Sequence, residues 1–152
     1  MSYLWSDLRF FEETVKVKKL KDLLDAKSHN GLAGIQERIK AMKWLLAMMS
    51  KGRDMSDFYP DVVKNVIVKS VELKKLVYIF LMHYADHDSQ CRELALLSIN
   101  TFQKDMLDPN PLIRALALRT MSSIRNRDIG QLQIMAVNKC SVDNSAYVRK
   151  IC

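Results

Sequence analysis

DPNPLIRALALRTMSSIR, residues 108–125, opens a helix whose pattern recurs along the chain. Asn110 is a preferred N-cap type, because its side-chain oxygen can accept from an unpaired first-turn amide. Pro111 follows at the first helical position, where a missing N–H costs nothing. Ile113, Leu116, Ala117, Thr120 and Ile124 then recur at helical spacing. Working outward, the same register aligns Ile39, Leu73, Ile113 and Val148, which we term anchors. Each is followed by a basic residue (Lys40, Lys74, Arg114, Arg149) and, three positions on, by an apolar one (Met42, Leu76, Leu116, Ile151). Ser70, Asn110 and Ser145 stand three positions before the last three anchors; the first has Gln36 there. Successive anchors are 34, 40 and 35 residues apart.

Partner helices are expected between the anchored ones, over Asp61–Lys69, Leu94–Met106 and about Gly130–Lys139. Two helices per repeat define an all-α chain, a HEAT/armadillo-type α-solenoid whose hairpins bury their apolar sides by stacking. Residues 1–152 read as a single segment. Its last unit stops a turn or two into a helix, which suggests the N-terminal part of a longer trunk whose cut end self-associates or frays.

The 152 residues hold 4 glycines and 3 prolines, too few for turn-rich β folds or glycine-rich phosphate loops. The apolar runs are far shorter than the roughly 20 residues that span a bilayer. Cys91, Cys140 and Cys152 form neither a disulfide framework nor a metal knuckle. The net charge is +7, but it is spread along the chain and interrupted by an acidic stretch holding Asp86, Asp88, Glu93, Asp105 and Asp108. A basic helical-repeat binder of nucleic acid, the rival reading, would align its Lys and Arg on one surface. No nucleophile–base motif appears, so neither an enzyme nor a cofactor is expected.

Longer stretches carry a resemblance. GRDMSDFYPDVVKN (Gly52–Asn65), VELKKLVYIFLMHYA (Val71–Ala85), LALLSINTFQKDMLDPNPLIRALALRTMSSIR (Leu94–Arg125) and AYVRK (Ala146–Lys150) resemble the N-terminal trunk of β-adaptins. VVKNV (Val62–Val66), LLSINTFQ (Leu96–Gln103) and SSIR (Ser122–Arg125) look most like the β subunit of the third adaptor complex. The resemblance implies a non-catalytic scaffold in a heterotetrameric vesicle-coat adaptor complex. Its partners would be the medium, small and second large chains, with an Arf-type GTPase and an anionic membrane surface. It places the protein on the cytoplasmic side of Golgi and endosomal membranes and coated vesicles. Some members hold phosphoinositides with a lysine-rich run, but here the corresponding HNGLAGIQERIK (His29–Lys40) has only Arg38 and Lys40 basic. YADHDSQCRELALL (Tyr84–Leu97) is longer than the family's usual loop, which accounts for the 40-residue spacing.

Three constellations remain. Lys16, Lys18, Lys19 and Lys21 form the densest basic cluster and are the candidate membrane or partner contact, on an amphipathic helix with Val17, Leu20, Leu23 and Leu24. His83, His87 and Cys91 would share one face of an unbroken helix like zinc ligands, but DHDSQ between them reads as a loop, so no metal is expected. Asp108 and Asp143 each lie five residues before an anchor. With Arg114 and Arg149, each one residue after an anchor, they suggest an Asp–Arg ladder between neighbouring repeats; Lys74 holds the equivalent anchor position after Leu73.

Overall fold

The computed structural model describes residues 16–25 and 31–152, among which every regular element is a helix. In chain order these are α1 (residues 16–24), α2 (Leu32–Ser50), α3 (Tyr59–Val63), α4 (Val71–Tyr84), α5 (Ser89–Leu97), α6 (Ile99–Asp105), α7 (Pro111–Ser123), α8 (Gly130–Ser141) and α9 (Ala146–Arg149). Short 3₁₀ turns at Ser56–Phe58, Lys64–Ile67 and Arg127–Ile129 join them.

The four anchors sit on α2, α4, α7 and α9, which form one row: α2 on α4, α4 on α7, α7 on α9. Ile39, Leu73, Ile113 and Val148 are each at most 2% exposed. One side chain per repeat thus seals each junction, and truncating any of them to Ala should cost about 2–4 kcal/mol. The second row is α3, α5, α6 and α8: α3 packs on α4 and α5, α6 on α7, and α8 on α7 and α9. A single apolar cluster runs through both rows from Leu24 to Val148. Tyr78 and Phe102 pack at 5.6 Å between ring centroids within it, and Phe80 and Tyr84 at 4.8 Å.

Capping varies along the anchored row. Ser70 accepts from the Leu73 amide and Asn110 from the Leu112 amide. Ser145 makes no side-chain cap, although Asp143 Oδ1 accepts its amide at 2.8 Å as Asp108 Oδ1 does that of Asn110. α2 starts after Gly31 without a side-chain cap, so Ile39 lies two turns inside its helix.

The partner row departs from the simple expectation of one helix per repeat. The expected Asp61–Lys69 helix starts at Tyr59 and tightens to 3₁₀ from Lys64. Asn65 causes this: its side-chain amide donates to the Asp61 carbonyl at 2.9 Å, the acceptor that α geometry reserves for the Asn65 backbone amide. The expected Leu94–Met106 helix breaks at Ser98, whose hydroxyl donates to the Leu94 carbonyl at 2.9 Å. The extra length of the middle repeat lies here: α5 and α6 span Ser89–Asp105, whereas α8 alone spans Gly130–Ser141. The link from α4 to α5 is short, since Asp88 already caps α5.

α2 ends in a Schellman turn, with the Arg53 amide bonded to the Met48 carbonyl and the Gly52 amide to that of Met49. Gly52 has φ 78°, a conformation that a side chain would disfavour.

Candidate functional site

Two polar pins join neighbouring repeats. At the first, Lys74 Nζ on α4 lies 2.5 Å from Asp105 Oδ1 at the end of α6. The Tyr78 hydroxyl, one turn further along α4, donates to Asp105 Oδ2. Lys74 and Asp105 are each only 7% exposed, so the carboxylate exchanges water for two donors. Burial, then Asp105, pushes the Tyr78 phenol above its ordinary range, which keeps it a donor.

At the second pin, Arg114 on α7 forks onto Asp143, with Nε to Oδ2 and Nη2 to Oδ1 both 2.8 Å. Its Nη1 reaches back to the Asp108 and Pro109 carbonyls at 2.8 and 3.0 Å. The guanidinium is the main cause that holds the Asp143 carboxyl below the usual carboxylate range. Arg149 repeats the backward half, donating to the Asp143 and Asn144 carbonyls at 2.6 and 3.1 Å.

Of the two acids the sequence offered to Arg114, the Asp143 carboxylate takes the fork and Asp108 contributes only its carbonyl. Lys74 pairs with Asp105, and Asp108 accepts the Asn110 amide at its own loop. Asp105 and Tyr78 were missed because neither falls on a repeated register position. Asn65, also missed, is fully buried. Its Nδ2 donates to the Leu24 carbonyl of α1 and to that of Asp61, and its Oδ1 accepts from Arg38 Nη1 at 3.4 Å. The only hint was an amide inside the apolar run VVKNVIV.

The three zinc-type side chains part company. α4 ends at Tyr84; His87 Nε2 lies 3.5 Å from Asp54, and the Cys91 amide is taken by Asp88 at 2.7 Å. No group of three or more His, Cys, Asp or Glu that could hold a metal occurs among the described residues. Burial, then Asp88, pushes the Cys91 thiol up to about 12. No helix among the described residues is long and apolar enough to cross a membrane.

The lysine cluster lies on α1. Lys16, Lys18 and Lys19 are exposed and make no ion pair among the described residues, whereas Lys21 Nζ sits 5.7 Å from the Phe58 ring centroid. Beside them, a pocket of about 370 Å³ opens between α1, the end of α2 and the loop after Gly52. Elsewhere some basic side chains are drawn into pairs: Lys43 with Glu72, Lys64 with Asp61, and Arg92 and Arg125 facing Asp86. At the far end, Val148 packs back onto the stack. The large apolar side chains left exposed there are Ile134, Met135, Val142 and Tyr147.

Helical pairs stacked in two rows and pinned at their junctions define a helical-repeat scaffold, and the chain belongs to the adaptin family, whose N terminal region model matches residues 12–151. Among curated relatives, the AP-3 complex subunit beta of Dictyostelium discoideum is 46% identical over 142 residues. The human AP-3 complex subunit beta-1 is 43% identical over 141 residues. Each of those alignments covers 93% of this chain, which spans only 12% of the length of those relatives. The AP-1 complex subunit beta-1 of mouse is 39% identical over 145 residues, 95% of this chain and 15% of that subunit. A homology model of the full-length AP-3 complex in an intermediate open conformation superposes with TM-score 0.63. It is 28% identical, covering 95% of this chain and 22% of the matched one.

Proposed function

We propose that this chain is the start of the trunk of a β-type adaptor subunit of the third-complex kind, a non-catalytic scaffold in vesicle-mediated protein transport. The similarity to AP-3 β subunits over 93% of the chain carries this reading. The physical reading agrees with it. Side chains that could do chemistry, Lys74, Asp105, Tyr78, Arg114 and Asp143, are occupied in holding repeats together. The partners are the medium, small and second large adaptor chains, at Golgi and endosomal membranes and coated vesicles.

Recruitment by an Arf-type GTPase brings the assembled complex to an anionic surface. The isolated chain should bind phosphoinositide vesicles only weakly at physiological salt, because the His29–Lys40 stretch lacks a lysine run. Tight vesicle binding by this chain, abolished by neutralising Lys16, Lys18, Lys19 and Lys21 together, would overturn that view. The exposed Ile134, Met135, Val142 and Tyr147 make self-association of the isolated 152-residue chain the expected behaviour. A monomer by light scattering at all concentrations would contradict it.

Affinity purification of the full-length protein tests the main reading. Recovery of medium, small and second large chains of the third complex supports it. Chains of another complex, or none, reject it. The dispersal of the basic residues along the chain, interrupted by Asp86, Asp88, Glu93, Asp105 and Asp108, argues against a nucleic-acid surface.

A further inference from the structure

The pocket beside α1 combines a wall of adaptable apolar side chains with cations at its mouth. Trp44, Met48, Met55 and Phe58 form the apolar part, Val17 of α1 closes one side, and Lys16 and Arg53 complete the lining. The Schellman turn at Gly52 builds this concavity by folding Arg53 back over Met48. The Met55 amide is fixed by the Tyr84 hydroxyl at 2.9 Å, so that wall is tied to α4. Trp44 and Val17 are each 37% exposed, although both are large and apolar and border a cavity of about 370 Å³. No carboxylate lines the pocket among the described residues, and Lys16 at its edge is exposed and has no ion-pair partner among them.

We propose that this pocket docks a short acidic peptide segment of a partner protein, with one bulky apolar side chain seated against Trp44 and flanking carboxylates at Lys16 and its neighbours. The charge calls for an anionic partner. The apolar wall calls for a side chain, because a lipid headgroup or free phosphate needs converging polar donors where Met48, Met55 and Phe58 stand. Trp44 is the anchor contact, since a tryptophan buried by an incoming partner is among the side chains that carry most binding energy.

The test is fluorescence anisotropy with the 152-residue chain and a fluorescein-labelled heptapeptide, Glu-Asp-Glu-Phe-Glu-Asp-Glu. Its partner probe has serine in place of the central phenylalanine. The phenylalanine peptide should bind at least tenfold tighter than the serine peptide. Trp44→Ala should weaken it roughly tenfold or more, and Lys16→Glu severalfold, with helical circular dichroism unchanged. Binding should also weaken as salt rises from about 50 to about 300 mM. Two peptides binding within about twofold of each other, or an affinity indifferent to Trp44→Ala in a folded variant, would overturn the proposal. So would phosphatidylserine vesicles that bind the chain and displace the peptide with equal strength in wild type and Trp44→Ala. That result would make the face a lipid-contact patch of lysines alone. Lys16→Glu on the surface of α1 keeps the test decisive if Trp44→Ala perturbs folding.

Discussion

The two pins solve the same problem with opposite chemistry. Lys74 is a compact point charge sunk between α4 and α6, where it and the Tyr78 hydroxyl both donate to the Asp105 carboxylate. Arg114 is a planar fork at the rim of the α7–α9 junction, holding a carboxylate in front and two carbonyls behind. A buried pair is costly to break, because either partner left alone is a desolvated charge. The rim fork is less costly to break but more demanding in geometry, since only a guanidinium fills all four acceptors at once. Position in the stack, inside or at the edge, selects the side chain.

That contrast can be broken in order of expected effect. Asp105→Ala strands Lys74 and should destabilise the chain by about 3–5 kcal/mol in urea unfolding. A loss under about 1 kcal/mol would show that the pair is hydrated. Arg114→Ala should lower the melting temperature by about 3–10 °C. Arg114→Lys should recover less than half of that, because an ammonium cannot fork. Full recovery would remove the geometric part of the comparison.

Acid tests the rim fork next. The Asp143 carboxyl is held below its ordinary 3.8 in the folded state. The stability it contributes is complete above that ordinary value and fades as pH falls through the lowered folded one. Thermal melts from pH 6 down to about pH 2 should therefore show Asp143→Asn with a smaller acid-induced loss than wild type. The same slope in both proteins would detach Asp143 from acid sensitivity.

The smallest effect is chemical access. Burial raises the Cys91 and Cys140 thiols, whereas Cys152 is exposed. At pH 8 a thiol reagent should label Cys152 first and the other two only on unfolding. Cys140, on α8, should precede Cys91 wherever the α8–α9 end opens locally. Equal rates for Cys91 and Cys140 would mean that the two regions open together.

How far the fold was legible follows from the same residues. The anchored helices could be read because Leu73, Ile113 and Val148 repeat with their neighbours at fixed offsets, and Ser70 and Asn110 cap as their chemistry suggests. The break at Ser98 could not, since a serine in an apolar helix bonds to its own backbone or to water according to its surroundings. The partner of Lys74 could not be read either. Repeat alignment equates Asp108 with Asp143, but the longer middle repeat ends α6 at Asp105, and a buried lysine takes the acid nearest its own depth. Asn65 draws together α1, α2 and α3 from residues up to 41 positions apart, which no local pattern encodes. The pocket beside α1 shared that fate: Val17, Trp44 and Phe58 are unremarkable singly, and only the turn at Gly52 makes them neighbours.

The sequence separations of the pins have a mechanical consequence. Lys74 and Asp105 are 31 residues apart, and Arg114 and Asp143 are 29, so each bond closes a loop about one repeat long and none bridges distant repeats. Coupling of this kind is nearest-neighbour only. Pulled from its ends, such a chain should lengthen in discrete steps of about one repeat. It should pause longest where Lys74 leaves Asp105, and take up slack again repeat by repeat as the load is released.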